Sequence, residues 1–273
     1  MNRKPIGLYV AKSDKCNESS LPADADTVAS FIERVSQKNI TSASIRRKLV
    51  SIAAVHRWAG HSDPTKEPSA KLAVRKMHRK LGRHHDQARG LSKAEVERMQ
   101  LATTDNLRGL RDKVLVGLAY DTMRRRSELA SLRVEDLRLR DEGGDILLRR
   151  SKTDQEGRGI RVFFTPQTCA LVRLWLQSSG ITEGALLRGV SGINHIEPKL
   201  TGAQIGRIFK KLAAKAGVDD SAVQHVSGHS IRVGAAQDLV LSGATLPQIM
   251  LKGGWTKVDT VMRYLEHAGS LAS

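Results

Sequence analysis

The chain has 273 residues, enough for one large domain or two modest ones, and carries a formal net charge of +17 from 45 Lys and Arg against 28 Asp and Glu. Such an excess points to a polyanionic partner, most simply nucleic acid, whose counterions a basic surface releases. The two cysteines lie far apart and outside any metal spacing, which argues against a disulfide framework or a zinc site, and no apolar run reaches membrane-spanning length. A cytoplasmic protein is expected, with no membrane partner and no metal.

Residues 1–20 are polar and aperiodic and read as a poorly ordered tail. From Asp24 the pattern turns helical, with Val28, Phe31, Ile32 and Val35 on one stripe. A second helix over 44–58 aligns Ile45, Leu49, Ile52, Val55 and Trp58, and carries Arg46, Arg47 and Lys48. After the Pro64 and Pro68 breaks, a third helix over 69–81 has Leu72, Val74, Met77 and Leu81 as its apolar residues. Lys71, Arg75, Lys76, Arg79 and Lys80 crowd its other faces. The polar stretch from Gly82 to Gly90 reads as a linker, and its His84 and His85 lack the further ligands a metal needs. The expected organisation is therefore a tail (1–20), a helical unit (21–82), a linker (83–91) and a second domain (92–273).

The second domain opens on Ser92 and Glu95, spaced as a capping box. A helix follows with Leu107, Leu110, Val114, Leu115 and Leu118 facing a core, then a short helix over 127–132. Next come two strands, over 145–150 and 160–165, joined by a long polar turn. Thr165 and Pro166 start a helix that ends at Gly180, and Thr201 with Gln204 starts another that ends before Gly217. Three further helices follow: one from His229 to near Gly243, a short one over 246–251, and one carrying Tyr264. The fold class is mainly α with a small antiparallel β-sheet.

The last quarter of the chain concentrates chemistry. His229 and Arg232, three residues apart, fall on one face of a helix; Gly253-Gly254-Trp255 and then Tyr264 follow. Fixed guanidinium groups suit the non-bridging oxygens of a phosphodiester in transfer. A tyrosine is an apt covalent nucleophile, because its phenolate is also a fair leaving group. Together these residues equip a chain to move a phosphodiester onto a tyrosine.

The segment from Tyr120 through Arg125 and Glu128 to Asp136 resembles the first signature box of the tyrosine recombinases, the phage integrase family. His229-Ser-Ile-Arg232-Val-Gly-Ala-Ala, Gly253-Gly-Trp255 and Tyr264 resemble the second. Agreement of several boxes in order is far more specific than any one motif. The resemblance covers about residues 21–267. It implies a catalytic domain preceded by a shortened helical DNA-binding domain, the two forming a C-shaped clamp on double-stranded DNA. It also implies the site roles. Tyr264 is the nucleophile taking the 3′ phosphate, Arg125 and Arg232 clamp that phosphate, and His229 moves a proton to or from the nucleophile. Trp255 offers its indole N–H to a phosphate oxygen, Lys152 protonates the leaving 5′ oxygen, and Glu128 braces the site. No metal, ATP or other cofactor is implied, and self-assembly on DNA as a tetramer of two dimers is.

Plainer readings stand beside these. Lys152 is also an ordinary turn lysine, Glu128 a surface partner of an arginine, and Trp255 a core residue beside Val261 and Leu265. Of the adjacent Arg124, Arg125 and Arg126, two read as solvated or DNA-backbone charges, and Arg125 is chosen because it stands three before Glu128. His225 and His267 read as structural or solvent-facing. Residues 1–91 hold 18 Lys and Arg against 8 Asp and Glu, the remainder 27 against 20, so the first third is the more basic part. Its second and third helices are candidates for DNA contact, as is the helix after Thr201 with Gln204, Arg207, Lys210 and Lys211. The likeness begins at the third of the N-terminal helices such proteins carry and leaves little chain after Tyr264, so weakened assembly is expected. A nicking-rejoining topoisomerase and a non-catalytic DNA-binding remnant are the competing functions.

Overall fold

The structure is a computed structural model and describes residues 21–82, 88–150 and 159–265. The chain divides into two compact units, Met1–Asp86 and Gln87–Ser273.

The first unit is three helices on one apolar core. Helix α1 (Ala25–Ser36) is capped by Asp24, whose side chain accepts from the Thr27 amide at 2.7 Å. Helix α2 (Ser42–Trp58) is capped by Thr41. Pro64 opens a single 3-10 turn, and Pro68 occupies the first turn of α3 (Pro68–Leu81), where a missing N–H costs nothing. Phe31, Ile32, Ile45, Ile52 and Met77 form the centre of this core. His56 is also buried: its Nδ1–H donates to the Ile52 carbonyl and its Nε2 accepts from the Ala23 amide, both at 2.9 Å, so the ring ties α2 to the segment before α1. Two expected core residues are outside it. Trp58 is 90% exposed, because α2 ends there and its last turn overhangs the core, and Leu72 is exposed while the small Ala70 and Ala73 seat α3 on α1.

The second unit is built around α5. Helix α4 (Lys93–Leu101) begins with the Ser92–Glu95 capping box, and α5 (Leu107–Thr122) is capped by Asn106. Val114, Leu115 and Leu118 are fully buried, whereas Leu107 and Leu110 at its start are partly covered. Helix α6 (Arg126–Leu129) is one turn long. A three-stranded antiparallel sheet follows in the order β1 (Leu137–Arg140), β2 (Gly143–Leu148), β3 (Ile160–Phe164). Leu137 faces Ile146 and Gly144 faces Phe164 across the two ladders. Sequence reading placed β2 and β3 but missed β1, whose four residues alternate too briefly to stand out. It also missed a second, two-stranded sheet, β4 (Val190–Ser191) with β5 (His195–Ile196). The turn between β2 and β3 that carries Lys152 lies outside the described residues, as do His84 and His85.

Helix α7 (Pro166–Ser179), capped by Thr165, packs on α5 and buries Trp175, whose indole N–H donates to the Leu186 carbonyl at 2.9 Å. Helices α8 (Gly202–Lys215), α9 (Asp220–Gln224), α10 (Ser230–Leu241), α11 (Leu246–Gly253) and α12 (Val258–Leu265) complete the unit. A separate small core of Met123, Ala235, Ala236, Ile249, Trp255 and Val261 lies under the last three helices. No described helix is long and apolar enough to cross a membrane.

Burial predicts the response to truncation. Phe31→Ala should destabilise the first unit by about 3–5 kcal/mol, whereas Trp58→Ala should change it by about 0.5 kcal/mol or less. Hydrogen exchange of the α1 amides in the full chain measures both; a large loss for Trp58→Ala would contradict its placement.

Candidate active site

The site begins at a strained bend. Met123, just past the end of α5, is fully buried and adopts left-handed backbone with φ 53°, a conformation that costs a non-glycine residue about 1–2 kcal/mol. That bend turns the Met123 carbonyl toward α10 and sends three consecutive arginines in three directions.

Arg124 is buried, against the expectation of a solvated or DNA-backbone charge. Its Nε donates to the Thr122 carbonyl at 2.7 Å and its Nη2 to the Lys252 carbonyl, tying the bend to α11. Burial lowers its pKa, with Glu128 opposing that shift and Arg125 adding to it. Arg125 is half-buried. Glu128, three residues on and only 5% exposed, accepts from its backbone N–H at 2.9 Å and its Nη1 at 2.8 Å. Glu128 is therefore a buried brace rather than a surface partner, and it holds the Arg125 fork in one orientation.

Arg232 is the centre of the site. Its side chain is 2% exposed. Nη1 donates to the Met123 carbonyl and Nη2 to the Gly253 carbonyl, both at 2.7 Å, and the guanidinium carbon lies 4.2 Å from the Trp255 ring centroid. Among the described residues no carboxylate pairs with it. Burial pushes its pKa down to about 9, Arg125 and Arg124 push the same way, and Glu128 and Tyr264 oppose them. It remains a cation at neutral pH, and three of its five N–H donors are uncommitted.

The Gly253-Gly254-Trp255 turn exists to make this clamp. A Cβ on Gly253 would strike the Trp255 ring at 1.9 Å, so only glycine lets the indole fold back against the turn. Gly254 has φ +66° and a Cβ there would meet Arg124 Nη1 at 3.0 Å. Trp255, 7% exposed, fills the small core with Val261, and its face also carries the Arg232 cation, a role the sequence did not suggest. Among the described residues its N–H has no acceptor.

Tyr264 is half-buried on α12, its ring 5.8 Å from that of Trp255 and tilted by 47°. Gln237 of α10 fixes the helix by donating to the Tyr264 carbonyl at 3.0 Å. The phenol itself has no hydrogen-bond partner among the described residues. Tyr120 of the first box differs sharply. Its OH donates to Asp238 at 2.5 Å, and burial followed by that bond raises its pKa far beyond the usual range, so it is a structural tie between α5 and α10. His229 is the N-cap residue of α10, is exposed, and makes no side-chain capping bond. Loss of hydration, then the charges of Arg232, Arg125 and Arg126, lower its pKa, so the ring is neutral at pH 7.

The structure thus brings together Arg125, Glu128, His229, Arg232, Trp255 and Tyr264. Lys152 and His267 lie outside the described residues. Among the proposed DNA contacts, Arg46, Arg47, Lys71, Arg75, Lys76, Arg79, Lys80, Arg207, Lys210 and Lys211 are exposed and Lys48 is half-buried. Lys76 lies 3.7 Å from Glu33, an exposed pair of small value.

The phage integrase family model matches residues 89–270. The recombinase Cre of Escherichia phage P1 is 27% identical over 276 residues, covering 93% of this chain and 79% of its own length. An integrase/recombinase XerD homologue of Selenomonas ruminantium is 28% identical over 262 residues, covering 91% and 75%. Two solved structures share the fold. The XerH site-specific recombinase bound to difH substrate in a pre-cleavage complex aligns with TM-score 0.63 at 15% identity, over 98% of this chain and 76% of that one. A lambda integrase dimer bound to a COC′ core site aligns with TM-score 0.60 at 14% identity, over 97% and 89%.

The depressed pKa of His229 has a measurable sign. Its folded-state pKa lies below the unfolded value near 6.5, so its contribution to stability is present above about pH 6.5 and is lost as pH falls through the folded pKa. An imidazole titration by NMR should place His229 below the ordinary histidine range; a value at or above it would contradict the cationic surroundings.

Proposed function

The chain belongs to the phage integrase family, and on that premise we propose that it is a site-specific DNA recombinase that cleaves and rejoins strands through a covalent 3′-phosphotyrosyl intermediate on Tyr264. The observation that carries this reading is Arg232: a buried cation that meets no carboxylate among the described residues, within electrostatic reach of a phenol that has no partner among them. A phosphodiester supplies the missing anion.

In the proposed reaction the scissile phosphate lies between Arg125 and Arg232, whose free N–H donors bind its non-bridging oxygens. Charge on those oxygens grows as phosphorus becomes five-coordinate, so prepaid donors act on the transition state. The Tyr264 oxygen attacks phosphorus and its proton passes to the neutral His229. The bond from phosphorus to the 5′ oxygen breaks, and Lys152 protonates that oxygen. Religation by a 5′ hydroxyl reverses each transfer, so the bond energy is kept in the phosphotyrosine. Trp255 adds its indole N–H to a phosphate oxygen while supporting Arg232. In this reading arginines supply the positive charge that a metal would otherwise bring, so cleavage needs neither metal nor ATP.

The domain plan follows from the same reading. Residues 21–82 form a helical DNA-clamp unit, 83–91 a linker, and 92–273 the catalytic domain. The exposed basic faces of α2, α3 and α8 track the phosphates of double-stranded DNA. Two dimers assemble on paired sites for strand exchange.

Nicked duplexes from the flanking DNA of the element test the proposal, because loss of the short leaving fragment traps the covalent product. Wild type should accumulate a DNA–protein adduct in the presence of a chelator and without ATP, and Tyr264→Phe should give none. Adduct formation by Tyr264→Phe, or none by wild type while DNA is still bound, would overturn it. On supercoiled plasmid bearing two sites, recombinant circles are expected; relaxation without recombinants would instead mark a topoisomerase.

A further inference from the structure

Three glycines are arranged around one arginine that the proposed chemistry does not use. Arg126 directly follows Arg125 and opens α6, yet its side chain leads away along a slot whose walls lack β-carbons. A Cβ on Gly228 would meet its Cδ at 2.6 Å, one on Gly202 its Cγ at 3.5 Å, and one on Gly206 its Nη1 at 3.4 Å. Gly202 and Gly206 are four residues apart and so share one face of α8. Glycine inside a helix weakens it relative to alanine, and α8 carries that weakness at Gly206 where the guanidinium lies.

Arg126 also differs from its neighbours in what it binds. Arg124 and Arg232 spend donors on carbonyls, and Arg125 spends one on Glu128. The exposed guanidinium of Arg126 has no hydrogen bond or ion pair among the described residues. Its stem packs against Gly228 and Gly202 rather than being held by polar partners, and its five donors are free among the described residues. Exposed Lys210, four residues beyond Gly206, continues the same side of α8. The charge of Arg126 is felt at His229, which places the group beside the reaction centre without being in it.

We infer that Arg126 is a preset phosphate contact: held in the glycine slot against α8, its guanidinium takes the backbone phosphate next to the one that Tyr264 attacks. The inference rests on the strand-transfer reading. Its geometry explains a local expense that catalysis by Arg125 and Arg232 leaves unaccounted for. Its Nη1 lies against α8 at Gly206, and the exposed side chain keeps the planar set of donors that bidentate phosphate recognition needs.

Salt dependence tests it, using full-length protein and a duplex bearing the cleaved site. Arg126→Gln should reduce the slope of log affinity against log salt by about 0.9, the loss of one phosphate contact. Arg126→Lys should keep that slope, because the charge remains. Gly228→Ala, with Arg126 intact but displaced from its slot, should weaken binding in the same direction as Arg126→Gln. An unchanged slope for Arg126→Gln, while wild type still forms the Tyr264 adduct, overturns the inference and leaves the reading intact. Absence of the adduct in wild type removes both. Should Gly228→Ala fail to fold, the Gln and Lys variants alone decide.

Discussion

A guanidinium buried in protein without a carboxylate is expensive, and the organisation of the second unit follows from keeping Arg232 buried with no such partner among the described residues. The effective penalty for an unpaired buried ion is several kcal/mol. Two carbonyls and an indole face recover part of it, at about 1.5–3 kcal/mol for each hydrogen bond to a charged group and about 0.5–2 kcal/mol for the ring. The carbonyls have to be aimed, and that requirement reaches far along the chain. Met123 takes a left-handed bend to supply one, and the two glycines before Trp255 supply the other and let the ring fold beneath the cation. Sequence features more than a hundred residues apart thus serve a single side chain.

The charge balance around Arg232 is left open on purpose. Among the described residues Arg124, Arg125 and Arg232 share one buried carboxylate, Glu128, and that carboxylate is committed to Arg125. The surplus is positive, it is largely dry, and its donors are already oriented. An anion entering there finds donors that need no reorganisation, the condition under which electrostatic stabilisation of a transition state is largest. Loss of hydration is the first reason the His229 pKa is lowered, and the same positive surplus adds to it, so an anion site and a proton acceptor stand side by side.

Much of this architecture was legible in the sequence because local rules wrote it. Asp24, Ser92 with Glu95, Thr165 with Pro166, and Thr201 with Gln204 each start a helix by satisfying its free amides, and the side chains that do so are visible as residue types at fixed spacing. The grouping of Arg125, His229, Arg232 and Tyr264 was legible only through the order of motifs. What escaped depends on tertiary context. Arg124 and Arg126 flank Arg125 identically in sequence, yet one is buried against two carbonyls and the other stands in a slot made by glycines 76, 80 and 102 positions away. No periodicity encodes that difference. Trp58 obeyed the helical stripe of α2 and still faces solvent, because a stripe does not say where the core under it stops. Strand β1 was lost to its length.

The account turns on whether Arg232 is kept for a charged phosphate, and chemical neutralisation of that phosphate asks the question directly. Single-turnover cleavage would compare Arg232→Ala with wild type on a normal scissile phosphate and on one whose non-bridging oxygen is replaced by a methyl group. The account predicts a loss of about 10²–10³-fold on the normal linkage and a much smaller loss on the neutral one, where there is less charge to meet. Equal losses on both substrates would contradict it and reduce Arg232 to a structural tie between Met123 and Gly253.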